Sequence, residues 1–217
     1  MLIAYCDGLC EPINPGGTAT YGWVLYKDRE KIAEGCRVVC SGPKATNNVA
    51  EYSAVIAVLE YLIKNNLTEE KVIIRSDSQL CIYQLQGRYR VSAPRIIPKY
   101  KKAKSLAKKF KEIKFEWVPR SQNEEADALS RKAYNQHLKK LANTKQNKAQ
   151  KLVSLVREAG EGIYEVPSMS EPGKYHTVDY FAGRCTCPAS RRCSHLLAVE
   201  LYLKGEKNLA FSERRNL

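Results

Sequence analysis

The chain has 217 residues, of which 44% are hydrophobic, which suffices for one medium-sized domain and a small one and excludes global disorder. Lysine and arginine total 36 against 23 acidic residues, and the net charge of +13 fits a polyanionic partner or, equally, a merely soluble basic protein. No apolar run is long enough to cross a bilayer, and the opening residues MLIAYCDG turn acidic too early for a signal peptide, so we expect a cytoplasmic protein with no membrane partner.

The first part of the chain predicts three antiparallel strands. An apolar strand over residues 2–6 ends at Asp7, and a turn-rich loop over residues 14–17 (Asn-Pro-Gly-Gly) follows it. Residues 21–26 and 32–39 predict two more strands, which are joined by a short charged tip.

Strands and helices alternate in the next part of the chain. The sequence Thr46-Asn47-Asn48 is an N-cap cluster, and apolar residues at helical spacing follow it. A short apolar strand over residues 72–74 precedes Ser76-Asp77-Ser78. The remaining predicted elements are a helix over residues 105–110, a strand over residues 113–117, and a last helix that contains Ala126, Leu129 and Ala133. Together these elements predict a mixed α/β fold.

Four carboxylates stand out by their placement at strand ends or early in helices. A carboxylate that ends an apolar strand is poorly solvated, and several together repel one another unless a cation lies between them. Oxygen ligands of this type suit magnesium or manganese. For one acid alone, a helix cap or a surface position is the simpler interpretation, and Glu124 and Glu125 are interpreted in that way. The four carboxylates are those of Asp7, Glu51, Asp77 and Asp127.

The chain contains four short motifs, namely Tyr5-Cys6-Asp7-Gly8, Thr46-Asn47-Asn48 with Glu51, Ser76-Asp77-Ser78-Gln79, and Asn123-Glu124 with Asp127. In order and spacing, these motifs resemble those of the type 1 ribonuclease H family. The resemblance covers about residues 1–138 and is nearest to the compact archaeal and bacterial branch of that family. It implies a ribonuclease H-like mixed five-stranded sheet flanked by helices. It also implies an endonuclease that cuts the RNA strand of RNA–DNA hybrids and leaves a 5′-phosphate.

The resemblance assigns roles to individual residues. It implies that the four carboxylates hold two magnesium or manganese ions, which can activate water and stabilise the leaving oxygen of an in-line displacement at phosphorus. It also implies that a second set of residues lines the groove for the hybrid, where amide groups can hydrogen-bond 2′-hydroxyls. That second set is Asn14, Gly16, Asn47, Asn48 and Gln79.

One departure from the family pattern concerns a histidine. Many members carry it on the loop just before the Asn-Glu pair, whereas residues 117–122 of this chain contain none. His137 lies ten residues after Asp127, about 15 Å along a helix, which is too far. Arg120 is nearer, but a guanidinium cannot shuttle a proton near neutral pH. We therefore expect the chemistry to persist with altered proton transfer or product release.

Two stretches of the chain are strongly basic. A lysine-rich stretch over residues 99–114 fits a ridge that grips phosphates or a solvated helix face, and its spacing favours neither. Residues 128–157 contain no acid and eight bases. The lysines of the first stretch are Lys99, Lys101, Lys102, Lys104, Lys108, Lys109, Lys111 and Lys114.

A cluster of cysteines and a histidine lies near the C-terminus. Cys185-Thr186-Cys187 and Cys193-Ser194-His195 supply three thiolates and one imidazole, a full ligand set for tetrahedral zinc. The order Cys-x-Cys, spacer, Cys-x-His on a small strand–strand–helix domain resembles the SWIM zinc finger. That resemblance implies one structural zinc and binding of nucleic acid or protein. Three neighbouring arginines favour nucleic acid, namely Arg184, Arg191 and Arg192.

The other five cysteines lack the tight spacing of a zinc site. We interpret them as free thiols, and one disulfide among them is left open. They are Cys6, Cys10, Cys36, Cys40 and Cys81.

The predicted organisation is a ribonuclease H domain over residues 1–140, a basic linker over 141–151 and a zinc-binding domain over 152–217. The last domain is expected to contain a short helix over residues 152–159, strands over 163–166 and 175–181, and a closing helix over 195–203. Two alternatives to a hybrid nuclease are a ribonuclease H-fold binding scaffold and a nuclease for double-stranded RNA. The intact carboxylates favour an enzyme, and the glycine loop with Thr46-Asn47-Asn48 favours hybrids.

Overall fold

The computed structural model describes residues 1–189 and 192–213, with side chains described up to Gly205. The chain divides into two compact units, one from Met1 to His137 and one from Leu138 onward. The domain boundaries expected from the sequence, which fall near residues 140 and 152, stay a prediction. No helix in the described ranges is long and apolar enough to span a membrane.

The first unit is built on a mixed five-stranded sheet, as the resemblance implied, and the strand order is β3-β2-β1-β4-β5. The pair β1–β2 and the pair β2–β3 are antiparallel, whereas β4 lies parallel to both β1 and β5. β1 therefore pairs with an antiparallel strand on one side and a parallel strand on the other. The strands are β1 (Leu2–Glu11), β2 (Gly16–Lys27), β3 (Glu30–Gly42), β4 (Lys71–Ser76) and β5 (Glu112–Trp117).

Four helices accompany this sheet, namely α1 (Asn47–Lys64), α2 (Gln79–Leu85), α3 (Ile97–Ala107) and α4 (Glu124–Leu152). The Thr46 hydroxyl caps α1 by accepting a hydrogen bond from the Val49 N–H at 3.1 Å, as its sequence predicts. The sequence did not predict α2. The helix predicted over residues 105–110 starts too late in the chain, because α3 begins at Ile97, with Pro98 in the first turn, where proline is tolerated.

The core of the first unit lies between α1 and one face of β1. Tyr52, Val55, Leu59 and Leu62 of α1 are buried, as are the alternating β1 residues over 2–6. The helical spacing of the α1 residues and the two-residue period of the strand therefore meet in one apolar layer.

Two glycines allow helices to approach the sheet closely. A Cβ at Gly8 of β1 would lie 2.2 Å from the Glu51 backbone nitrogen, and a Cβ at Gly22 of β2 would lie 2.4 Å from the Ser130 backbone nitrogen. Gly8 thus brings α1 against the end of β1, and Gly22 brings the start of α4 against β2. These contacts set the positions of the residues that both helices present.

The second unit contains a four-stranded antiparallel sheet with the order β6-β7-β8-β9, followed by helix α5 (Ser194–Glu213). The helix predicted over residues 152–159 is wrong, because Val153–Leu155 form a single 3₁₀ turn and Arg157–Gly160 pair with β7. Residues 141–151, predicted to be a linker, belong to α4. The strands are β6 (Arg157–Gly160), β7 (Ile163–Pro167), β8 (Tyr175–Asp179) and β9 (Arg184–Cys185).

The close approach of a helix to Gly8 and to Gly22 predicts that an added methyl group at either position destabilises the protein. Gly8→Ala or Gly22→Ala should lower the free energy of unfolding by about 1–3 kcal/mol, because the methyl overlaps backbone atoms that belong to a helix. Denaturant unfolding followed by tryptophan fluorescence measures this in the first unit, where both tryptophans lie. Ser41→Ala on exposed β3 is the control and should change stability by less than about 0.5 kcal/mol. Equal stability of Gly8→Ala and wild type would contradict the close approach of α1.

Candidate functional site

Three of the four predicted carboxylates converge at one end of the central strands. β1 and β4 are parallel neighbours with Cys6 opposite Ser76, so the next residues, Asp7 and Asp77, lie side by side. Glu51 joins them from α1. One carboxylate oxygen from each of the three residues lies within 4.8 Å of the other two.

Hydrogen bonds fix the orientation of Glu51 and its neighbours. The Ser76 hydroxyl, at the last position of β4, lies 3.5 Å from Glu51 Oε2, and it accepts the Ser78 N–H at 3.1 Å. The Glu51 carboxylate is therefore held by the end of β4 as well as by its own helix.

The Asn123 side chain ties the start of α4 to the site. Its Nδ2 donates to the Cys6 carbonyl oxygen at 2.9 Å and to Asp77 Oδ1 at 2.7 Å. The residue is 1% exposed, and its Oδ1 is the only buried side-chain oxygen or nitrogen of the described residues without a partner. The family motif included Asn123, but nothing in the local sequence indicates that its amide joins β1 to Asp77.

The electrostatics of the site favour a cation. Burial raises the pKa of Asp7 to about 6, and repulsion from Asp77 and Asp127 acts in the same direction, while the Ser130 hydroxyl and Arg120 oppose it. Burial, followed by repulsion from Asp7 and Asp77, also raises the pKa of Glu51. The protein alone thus disfavours full ionisation of the cluster. Magnesium or manganese, which prefer such hard oxygen ligands, would offset the repulsion, so the residues fit these metals.

Asp127 stands outside the group of three. Arg120 donates from Nη2 to its Oδ1, and Arg131 donates from Nε to its Oδ2 at 2.9 Å. Its charge nevertheless contributes to the raised pKa of Asp7. Arg131 was not among the predicted site residues, although its spacing of four residues from Asp127 is typical of a helical ion pair.

Ser130 is a second residue that the sequence analysis missed. It is fully buried, and its Oγ donates to Asp7 Oδ2. Its backbone carbonyl accepts the Thr20 hydroxyl at 2.9 Å, which fixes this turn of α4 on β2. One small hydroxyl thus connects the carboxylate on β1 with the helix that carries Asp127.

The residues predicted to line a groove are accessible beside this site. Asn14 Oδ1 accepts the Asn47 backbone N–H at 3.1 Å, which joins the loop after β1 to the start of α1. The Gly16 N–H donates to the Ala45 carbonyl at 3.1 Å in the same place. Asn47, Asn48 and Gln79 are exposed. Their roles toward a substrate remain predictions.

In the second unit, the four predicted zinc ligands come together. One ligand atom from each of Cys185, Cys187, Cys193 and His195 lies within 4.8 Å of the others. Burial raises the pKa of Cys185 to about 12. Burial also opposes ionisation of Cys193, yet hydrogen bonds from the His195 ring and the Leu196 N–H dominate and lower its pKa to about 6. Such a cluster is compatible with a small zinc-binding module.

The surroundings of this cluster include a residue that the sequence analysis missed. His176 of β8 is buried, and its ring lies 4.6 Å from that of His195, centroid to centroid. Arg184 and Arg192, which were expected to favour nucleic acid, are exposed, and Arg191 lies outside the described residues.

Known proteins resemble the first unit in sequence. Ribonuclease HI of Halobacterium salinarum is 39% identical over 131 residues, which are 60% of this chain and 62% of that protein. A bifunctional protein of Mycobacterium tuberculosis is 39% identical over 122 residues, 55% of this chain but 32% of its own length. The chain thus spans about a third of the mycobacterial relative.

Solved structures agree with this resemblance. The crystal structure of RNase H1 from Halobacterium salinarum superposes with a TM-score of 0.57 at 36% identity, covering 62% of this chain and 98% of the other. LC11-RNase H1, solved in complex with an RNA/DNA hybrid, gives a TM-score of 0.58 at 32% identity, covering 64% and 99%. The first unit is therefore a type 1 ribonuclease H-like domain. The profile of the reverse transcriptase-like family matches residues 6–133, and the chain belongs to that family.

The raised pKa of Asp7 predicts how the stability of the metal-free protein depends on pH. Because the folded-state pKa of about 6 exceeds the ordinary value of 3.8, the native protein holds the proton more tightly, so stability falls as pH rises from about 4 to about 6. The difference of about 2 units corresponds to at most about 3 kcal/mol. Asp7→Asn should therefore stabilise the metal-free protein at pH 7 and have little effect at pH 4, measured by denaturant unfolding with chelator. Equal gains at both pH values would contradict this electrostatic origin.

Proposed function

We propose that this chain is a ribonuclease H that hydrolyses the RNA strand of RNA–DNA hybrids and leaves a 5′-phosphate. The observation that carries the proposal is the convergence of Asp7, Glu51 and Asp77 within 4.8 Å in a type 1 ribonuclease H-like domain. The bound hybrid of LC11-RNase H1 supports the same substrate class for this chain. A cytoplasmic location is part of the proposal.

In this proposal, Asp7, Glu51, Asp77 and Asp127 hold two magnesium or manganese ions. Such ions, when bound, activate a water molecule and stabilise the leaving oxygen in a displacement at phosphorus. Asn123 orients the Asp77 carboxylate, and Ser130 orients that of Asp7.

In the same proposal, Arg120 and Arg131 both form ion pairs with the Asp127 carboxylate. They balance the charge of that carboxylate and fix its orientation near the start of α4. Arg120 lies on the loop where many ribonucleases H carry a histidine, but its guanidinium stays charged and so cannot shuttle a proton. We therefore assign it a positioning role toward Asp127 and phosphate oxygens.

The exposed amides provide the discrimination between RNA and DNA. Asn14, Asn47, Asn48 and Gln79 can donate to and accept from 2′-hydroxyls, the groups that distinguish an RNA strand. The link between Asn14 and Asn47 holds this surface together, and Gly16 is held in the same place by its N–H bond to the Ala45 carbonyl.

For the second unit, we propose a SWIM-like zinc finger in which Cys185, Cys187, Cys193 and His195 bind one structural zinc. The unit is small, so metal binding would supply much of its folding free energy. The exposed Arg184 and Arg192 support a role in nucleic-acid binding, and a protein partner is the alternative.

A strand-labelled cleavage assay tests the catalytic proposal. With magnesium, the protein should cut only the RNA strand of a hybrid, and chelator should abolish cleavage. Asp7→Asn or Asp77→Asn should lower the rate by orders of magnitude without loss of fold, because each removes a metal-binding charge. Glu60→Gln, an exposed acid on the same helix as Glu51, is the control and should cleave normally. Near-normal cleavage by Asp7→Asn would refute the assignment, and cleavage of double-stranded RNA instead would change the substrate.

Removal of one thiol tests the zinc site. Cys193→Ser should lose the zinc and unfold the second unit, while the rate on a saturating short hybrid stays unchanged because the carboxylates lie in the first unit. Elemental analysis gives the zinc content, and hybrid affinity at two salt concentrations reports on binding. Cys36→Ser, outside the cluster, is the matched control. Folded wild-type protein without zinc would contradict the site, and unchanged hybrid affinity of Cys193→Ser would favour a protein partner.

A further inference from the structure

The second half of α4, residues 138–151, is almost entirely exposed to solvent, and we refer to it as the exposed half of α4. Every residue from Leu138 to Lys148 is exposed, and of the rest only Ala149 is buried. The segment has no acidic residue. Its bases are Lys139, Lys140, Lys145, Lys148 and Lys151.

None of these five lysines forms an ion pair with any residue that the structure describes. Several lysines of the first unit, by contrast, do form ion pairs. Lys27 lies 2.9 Å from Glu70, Lys71 lies 2.8 Å from Glu112, and Lys102 lies 2.7 Å from Glu60. The positive charge of the exposed half of α4 is therefore uncompensated by described acids.

In the lysine-rich stretch over residues 99–114, some ammonium groups also have hydrogen-bond partners within the protein. The Lys99 ammonium is half-buried and donates to the Ser53 hydroxyl at 2.8 Å, and Lys104 donates to the Leu85 carbonyl at 3.2 Å. These two lysines thus help to pack α3. Among the residues that the structure describes, the lysines in the exposed half of α4 have no such side-chain partner.

An exposed helical segment with this much uncompensated positive charge has little stability of its own. Lys145, Lys148 and Lys151 follow one another at three-residue spacing, and like charges at this spacing destabilise a helix by about 0.2–0.5 kcal/mol per pair. Helices of about 12–15 residues without tertiary packing are marginal in water. A row of anions beside the segment would remove the repulsion and favour the helix.

The dimensions of the segment suit a nucleic-acid backbone. From Lys139 to Lys151 the helix rises about 18 Å, and a duplex carries one phosphate charge per about 1.7 Å of its axis. Released counterions make such contacts favourable at low salt, without any reading of sequence.

We propose that the exposed half of α4 binds the sugar–phosphate backbone of the hybrid. This inference rests on the proposed function for its choice of ligand. It adds a contact surface outside the groove residues, one that increases affinity and residence on the substrate and leaves the chemical step unchanged.

The test compares two triple variants of the full-length protein. K140Q/K145Q/K148Q removes three charges from the exposed half of α4. K27Q/K64Q/K71Q removes three exposed charges at the opposite end of the sheet from the carboxylates, since β4 begins at Lys71 and Asp77 follows its end. Affinity for a labelled hybrid is measured with chelator across a series of salt concentrations, and cleavage is measured with magnesium.

The first variant should bind at least about tenfold more weakly at low salt. The slope of log affinity against log salt should decrease by up to about 0.9 for each phosphate that the variant no longer neutralises. The control should retain the wild-type slope. K140R/K145R/K148R should also retain it, which separates charge from folding. Hydrogen exchange over residues 138–151 should slow when hybrid binds.

Identical slopes for the first variant and the control would overturn the inference while wild-type cleavage still supported the nuclease. Wild-type protein that binds hybrid through these lysines but does not cleave it would overturn the proposed function alone. No binding of hybrid by wild-type protein would overturn both.

Discussion

Repulsion between closely placed carboxylates, one of them buried and two half-buried, is the constraint on which the rest of the first unit depends. Asp7, Glu51 and Asp77 come from a strand, a helix and the residue after a second strand, yet their oxygens lie within 4.8 Å of one another. Burial and mutual charge raise the pKa of both Asp7 and Glu51. A fold that holds these groups together at neutral pH must supply free energy from elsewhere or bind a cation.

The apolar layer between α1 and β1 supplies part of that free energy, and two small residues determine how closely the helices approach. Gly8 admits the backbone of α1 at Glu51, and Gly22 admits that of α4 at Ser130. A larger residue at either strand position would move one carboxylate or its hydrogen-bond donor away from the others. The geometry of the site thus depends on these two glycines, which have no side chain, as well as on the side chains that form the site.

The order of strands and helices allowed a mixed α/β fold to be predicted, and the resemblance implied the five-stranded sheet. Asp7 and Asp77 give a local signal because each follows an apolar strand, whereas Glu51 lies on α1 and was assigned through its motif. Other features have no local signal. The bond between Asn123 and the Cys6 carbonyl joins residues 117 positions apart, and β6 is exposed throughout, so it shows no alternation of apolar and polar residues. The pairing of Asp127 with Arg120 depends on the placement of the turn before α4, whereas the spacing of four residues between Asp127 and Arg131 is itself a local signal.

The Asn123 amide has a further consequence for the chemical ageing of the protein. Its nitrogen donates one hydrogen to a carbonyl and one to a carboxylate, and both are needed at once. Deamidation would replace that nitrogen with oxygen while barely changing the shape of the side chain. An anion would then face the Cys6 carbonyl and the Asp77 carboxylate, with no hydrogen left to bridge them. Slow, spontaneous hydrolysis of this one buried side chain would therefore turn two hydrogen bonds between the start of α4 and the strands into repulsion.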